Sequence, residues 1–141
     1  MNNASYSIRD AQIEDAEAIL AFWSEAGATP SHSDNVDAIR HVISDDAASV
    51  LLAVSGERII GSVIEGFDGW RGSIYRLAVH PEFRRKGIAR ALVAEAEKRL
   101  AARGVKRIGA LVEFDHGDAV GFWKASGYKP DERLKRYCRD V

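Results

Sequence analysis

The sequence predicts one α/β or α+β domain built on a sheet of mixed direction, and three observations carry that prediction. A continuous apolar run, Val50 to Val54, reads as a strand buried on both faces. Two turn signals, Ser55-Gly56-Glu57 and Asp68-Gly69, link it to two further strand-like runs, Arg58 to Glu65 and Ser73 to His80. The longest helical pattern then begins directly after the third of these strands.

Taken in order, the elements are these. Tyr6 to Arg9 alternates as a first strand, and Ile13, Ala16, Leu20 and Trp23 recur at helical spacing. Gly27 to Ser33, with Pro30 inside it, is a breaker-rich loop. A short helix then carries Val36, Ile39 and Ile43 inward, ahead of the three central strands. In the longest helix Ile88, Ala89, Leu92, Val93, Ala96 and Leu100 share an apolar face. Arg99 and Arg103 fall in its last turn, where cations suit the helix dipole, and Gly104 follows at the stop position. Val105 to Val112 is predicted as a strand, Asp118 to Ser126 as a helix stopped by Gly127, and Leu134 to Cys138 as a last strand. No repeat, low-complexity tract or linker divides residues 1–141.

Composition narrows the function. With 46% hydrophobic residues, 29% charged residues and a formal net charge of -1, the chain reads as globular and lacks the basic excess of a general nucleic-acid or anionic-membrane binder. No run approaches the ~18 apolar residues of a membrane span, and MNNASYSIRD carries no apolar signal region, so the expected location is the cytoplasm. The single cysteine, Cys138, allows no internal disulfide and reads as a small buried apolar residue. His32, His41, His80 and His116 show no ligand spacing, and no metal is expected.

The informative segment runs from Ile74 through Leu100: a strand, a tight basic loop and an amphipathic helix. A helix N-terminus offers unpaired backbone N–H groups and a positive dipole end, and so binds phosphate. Gly87 permits close backbone approach or positive φ, Ala89 keeps the first turn nearly bare, and Arg84, Arg85, Lys86 and Arg90 add charge. The pattern is neither the P-loop nor the dinucleotide Gly-x-Gly-x-x-Gly motif. On charge alone, a solvated helix start explains these cations equally well.

The order of residues adds more. Arg84-x-x-Gly87-x-Ala89, directly after Val79-His80-Pro81, resembles the acetyl-CoA signature of the GNAT superfamily of N-acetyltransferases, Arg/Gln-x-x-Gly-x-Gly/Ala, in its small single-domain bacterial form. His116-x-x-Ala119-x-x-Phe122-Trp123-x-x-x-Gly127-Tyr128 resembles that family's Asn-x-x-Ala-x-x-Phe/Leu-Tyr-x-x-x-Gly-Phe, and Tyr6 to Ala11 its opening strand. The resemblance implies a three-layer fold with a curved mixed sheet that splays between the Ser73 and Val105 strands, where acetyl-CoA enters. It implies that Leu77, Ala78 and Val79 supply a bulged strand whose backbone bonds the pantetheine and polarises the acetyl carbonyl. It further implies that Arg85 to Arg90, Ile88 included, offer mainly backbone donors to the pyrophosphate. His116 and Trp123 stand at further cofactor positions.

Two positions depart from the family pattern. His116 replaces Asn, with helix capping as its other reading. Trp123 stands where many relatives carry a Tyr proposed to protonate the departing thiolate, and an indole N–H donates a hydrogen bond but does not titrate. A thiol of pKa about 8.5 lies only ~1.5 units above neutrality, roughly 2 kcal/mol, so a dedicated acid is dispensable. Water, Tyr75 or Tyr137 is left to supply that proton. Glu113, Asp115 and Glu65 are candidate bases for the amine, each with a solvated or capping role as its other reading. Alternation places either Tyr75 or Arg76 toward the acceptor. Trp23 reads as core, and Trp70 and Arg71 as an exposed turn.

The expected reaction is acetyl transfer from acetyl-CoA to a primary amine in a ternary complex. The acceptor is a small molecule or, alternatively, a protein N-terminus or lysine. A non-catalytic acyl-CoA-binding module is the rival from another class. The sequence is silent on oligomeric state, and a homodimer is one arrangement it allows.

Overall fold

The computed structural model describes residues 5–113 and 117–141. Five strands form one open sheet in sequence order: β1 (Ser7–Asp10), β2 (Ala48–Ser55), β3 (Arg58–Phe67), β4 (Gly72–Val79) and β5 (Ile108–Ala110). The first four pair antiparallel, and β5 pairs parallel to β4. That mixed order follows from the connections. Two short turns permit only antiparallel neighbours, whereas the return from β4 to β5 passes through a helix, as a parallel pair requires.

Three layers result. Helices α1 (Ala16–Glu25) and α2 (Val36–Ser44) cover one face, and α3 (Ile88–Ala102) and α4 (Gly117–Ala125) the other. The run Val50 to Val54 is buried throughout, as predicted, and the pleat divides it. Val50, Leu52 and Val54 pack with Ile19, Phe22, Trp23 and Ile39 of α1 and α2. Leu51 and Ala53 pack with Ile88, Leu92, Val93, Ala96 and Leu100 of α3. Helix α3 lies close on the sheet because glycines face it. A Cβ at Gly72 would stand 2.9 Å from two methyl carbons of Leu100, and one at Gly61 3.0 Å from Leu92.

The C-terminal part departs from the sequence reading. Residues 134–138 form no strand, and Leu134 and Tyr137 are 67% and 93% exposed. Leu134 and Tyr137 fall on opposite faces of any period-2 pattern, with Lys135 and Arg136 between them, so no apolar face exists to bury. Cys138 lies in the same segment and is exposed, correcting the expectation of a buried thiol. The predicted strand from Val105 to Val112 contracts to Ile108–Ala110. Lys106 and Arg107 precede it, and β4 changes register just beyond it.

Candidate active site

The site begins with the irregularity in β4. Ser62 of β3 faces Ala78, but Ile64 faces Tyr75, so three steps on β4 match two on β3. The extra residue is a β-bulge at Arg76-Leu77, and Arg76 has φ +56°, in the left-handed region that arginine rarely enters. A bulge also breaks alternation. Tyr75 and Arg76 therefore both point to the α1–α2 face, where alternation alone allows one of them. Tyr75 packs with that core cluster, and the Arg76 guanidinium lies 5.0 Å from the centre of the Trp23 ring. Pairing of β5 with β4 covers only Gly72 to Ile74, with one more bond from the Leu111 N–H to the Ile74 carbonyl. Beyond that point the two strands part, and Leu77, Ala78 and Val79 border the opening.

The basic loop lies at the end of the same strand. After a 3-10 turn at Pro81–Phe83, Arg85 takes φ +63° and Gly87 φ +82°. Gly87 is the N-cap of α3, with no side chain to cap the first turn and no acidic residue within it. The first-turn N–H groups are thus left for an anion. Among the described residues nothing beyond its own chain neighbours lies within 4 Å of a Cβ built on Gly87, so its necessity comes from φ and from whatever approaches outside. Ile88 is buried as an anchor in the α3 core, and Ala89 is half-buried. Arg85, Lys86 and Arg90 are exposed, and the Lys86 ammonium lies 6.0 Å from the Phe83 ring centre. Arg84 is different: its guanidinium donates to the carbonyls of Val79 and Ala26, both at 3.1 Å, bracing the loop against α1.

Across the opening lies the loop between α1 and α2. Arg76 donates to the Thr29 carbonyl at 3.1 Å and to both oxygens of Asp34 at 2.6 Å. The Arg76–Asp34 pair is largely shielded, with side-chain exposures of 20% and 13%. Thr29 in turn donates its hydroxyl to Glu113 at 2.6 Å. Thr29 thus joins the bulge of β4 to the segment after β5, bridging the two sides of the splay. The C-terminal carbonyl of Val141 meets His32 of the same loop at 3.2 Å. None of these partners is near Thr29, His32 or Asp34 in sequence, and no local signal announced them.

The remaining expected residues fall as follows. Trp123 is 6% exposed and stacks edge-on with Phe122 and Tyr128 at 5.3 and 4.8 Å, a packing position in the α3-side core. Tyr128 donates to Glu97 at 2.7 Å, and burial with that carboxylate pushes its phenol well above the usual range, so it keeps its proton. Tyr137 is exposed on the C-terminal segment. Glu65 is fully buried and pairs with Ile74, two residues from Val63. It therefore faces α3, the side opposite Tyr75 and Arg76, which removes it from the candidate bases. Neither of its carboxylate oxygens has a hydrogen-bond partner among the described residues. Asp115 and His116 lie outside the described residues. Trp23 is core, as read, yet its indole also donates to Ser62 at 3.0 Å. A buried Trp requires some such acceptor, and that was the one clue available.

Residues 12–128 match the Acetyltransferase (GNAT) family. The chain belongs to that family. An acetyltransferase of Pectobacterium atrosepticum is 37% identical over 123 residues, 86% of each chain. Among solved structures, the PaiA N-acetyltransferase of Thermoplasma acidophilum in complex with coenzyme A has a TM-score of 0.79 at 22% identity, covering 89% of this chain and 90% of its own. An aminoglycoside antibiotic 6'-N-acetyltransferase of Acinetobacter haemolyticus has the same TM-score at 17% identity, covering 96% and 99%. The mixed open sheet is therefore the GNAT fold. In this GNAT acetyltransferase no helix among the described residues is long and apolar enough to cross a membrane.

Proposed function

We propose that this GNAT acetyltransferase moves acetyl from acetyl-CoA to a primary amine by direct attack in a ternary complex. The observation that carries the reading is the juxtaposition of a bulged, parted β4 edge with a glycine-capped helix N-terminus. These features suit one extended ligand with a diphosphate at one end and a carbonyl at the other. Backbone N–H groups from Arg85 to Arg90 would hold the diphosphate, and the exposed cations would add charge. Leu77, Ala78 and Val79 would bond the pantetheine arm, with Trp123 packed behind.

Acetyl-CoA supplies an activated acyl group. The amine nitrogen bonds to the acetyl carbon as the C–S bond breaks, releasing CoA thiolate and one proton. The attacking amine must be neutral, and Glu113, at the β5 side of the opening, would take its proton. Tyr75, half-buried on the acceptor face, would orient the amine, while Asp115 and Tyr137 are further candidates for acceptor and proton contacts. Thr29 reaches Arg76 from one side of the opening and Glu113 from the other. A small amine is the acceptor we put first, in keeping with the aminoglycoside substrate named for one structural neighbour.

Acetyl-CoA should stabilise the fold by ~2.7 kcal/mol at 100 times its dissociation constant. That corresponds to a melting temperature several degrees higher. Thiol release is then measured across a panel of small amines and peptide N-termini. Glu113→Gln should lower kcat/KM by about a hundredfold or more for the best amine. Binding without thiol release for any acceptor would instead identify a non-catalytic acyl-CoA module.

A further inference from the structure

The bulge that borders the acetyl site is held by a buried chain of hydrogen bonds that comes from outside the site. The Trp23 indole N–H donates to the Ser62 hydroxyl at 3.0 Å, and that hydroxyl donates to the Arg76 carbonyl at 2.9 Å. Trp23 is 4% exposed and Ser62 not at all, so water does not compete for these bonds. Every member is satisfied: the hydroxyl uses its proton on the carbonyl and a lone pair on the indole.

The carbonyl so held belongs to a residue at φ +56°, and such strain persists only where surroundings over-determine it. Here they do, from two sides. Asp34 and Thr29 fix the Arg76 side chain, and Ser62 fixes its carbonyl. No peptide bond among the described residues is cis. In a trans peptide the Arg76 carbonyl and the Leu77 N–H point in opposite directions. With the carbonyl turned toward Ser62 on β3, the Leu77 N–H points away from β3, to the edge that β5 leaves after Ile74.

We propose that Trp23 and Ser62 are positioning residues that fix the Arg76–Leu77 peptide plane and so aim the Leu77 N–H at the acetyl carbonyl. This rests on the acetyl-transfer reading given above. Removing the Ser62 hydroxyl orphans the Arg76 carbonyl and frees the strained peptide to rotate, which takes the N–H off its line. Donors aimed at developing charge are sensitive to such displacement. The diphosphate contacts and those of Ala78 and Val79 to the pantetheine are untouched, so cofactor affinity is largely spared.

The test uses Ser62→Ala, Trp23→Phe and the double variant of the full chain. Ser62→Ala should lose about tenfold or more in kcat, with the acetyl-CoA dissociation constant within about threefold of wild type. Trp23→Phe should show a smaller loss of the same kind, and the double variant should be no worse than Ser62→Ala, because both act through one chain. In amide NMR spectra the Leu77 resonance should move further with acetyl-CoA than with CoA, and Ser62→Ala should abolish that difference. A folded Ser62→Ala protein with wild-type kcat overturns the proposal, as does a fall in acetyl-CoA affinity equal to the fall in kcat. Should Ser62→Ala not fold, Trp23→Phe decides by the same readouts. A wild-type protein inert toward amines, yet showing the Ser62-dependent Leu77 response, would defeat the proposed reaction while upholding the positioning. An active wild type with no acetyl-specific change at Leu77 would do the reverse.

Discussion

The two ends of the β4 edge are built in opposite ways. At the α3 end the chain offers backbone: left-handed Arg85 and Gly87, an uncapped helix start, and cations that stand in solvent. At the end that the proposed function gives to the acceptor it offers side chains that reach far along the sequence: Arg76 to Asp34, Thr29 to Glu113, and His32 to Val141. A backbone site is specified by a handful of adjacent residues, because φ and helix position are local. A side-chain site requires the whole fold first. On the proposed reading, one end can thus stay constant for a common cofactor while the other is free to vary with the acceptor.

The largest expected effect tests the backbone end. Gly87→Val places a β-branched side chain at φ +82°, costing about 1–3 kcal/mol of stability. It also fills the open space that a diphosphate would occupy. The acetyl-CoA dissociation constant should rise about a hundredfold, ~2.8 kcal/mol, in a protein that still melts cooperatively. Calorimetry of the folded variant checks it. Wild-type affinity would mean that the cofactor does not lie against this turn.

The acceptor end should respond differently. Asp34→Ala leaves the Arg76 guanidinium without its carboxylate in a largely shielded place, at a cost of about 1–3 kcal/mol in stability. The loop over the mouth then loosens, and KM for the amine should rise by about tenfold, while the acetyl-CoA dissociation constant moves less than about threefold. Equal losses in both would show that the ends act as one unit. Arg84, which ties the cofactor loop to the Ala26 carbonyl, would be the coupling element.

The same contrast explains what the sequence revealed. Val50 to Val54, the apolar face of α3 and the Arg84 to Ala89 motif were legible because each is a local pattern. The bulge was expected from resemblance alone, since Arg76 gives no sign of positive φ. Its consequence, Tyr75 and Arg76 on one face, runs against alternation. Glu65 reads as a candidate base until the register of β3 against β4 turns it toward α3. The supposed strand at Leu134 to Cys138 rested on a few apolar residues without a common face. Thr29, Ser62 and Asp34 carry no motif, and only their partners across the fold give them meaning.

The smallest expected effect bears most directly on the contrast, because it separates charge from backbone within one loop. Lys86 is exposed, and its ammonium lies 6.0 Å from the Phe83 ring centre, at the outer limit of a cation–π contact. If backbone N–H groups do the binding, Lys86→Ala should weaken acetyl-CoA by no more than about threefold, under 1 kcal/mol. That small loss should shrink further as salt is raised from 0.05 to 0.5 M, since screening acts on exposed charge and spares N–H groups in contact with the ligand. The loss caused by Gly87→Val, relative to wild type at the same salt, should change little over the same range. Titration calorimetry of both variants at the two ionic strengths makes the comparison. A Lys86→Ala loss exceeding that of a folded Gly87→Val would reverse the assignment, making the cations the site and the helix start only their support.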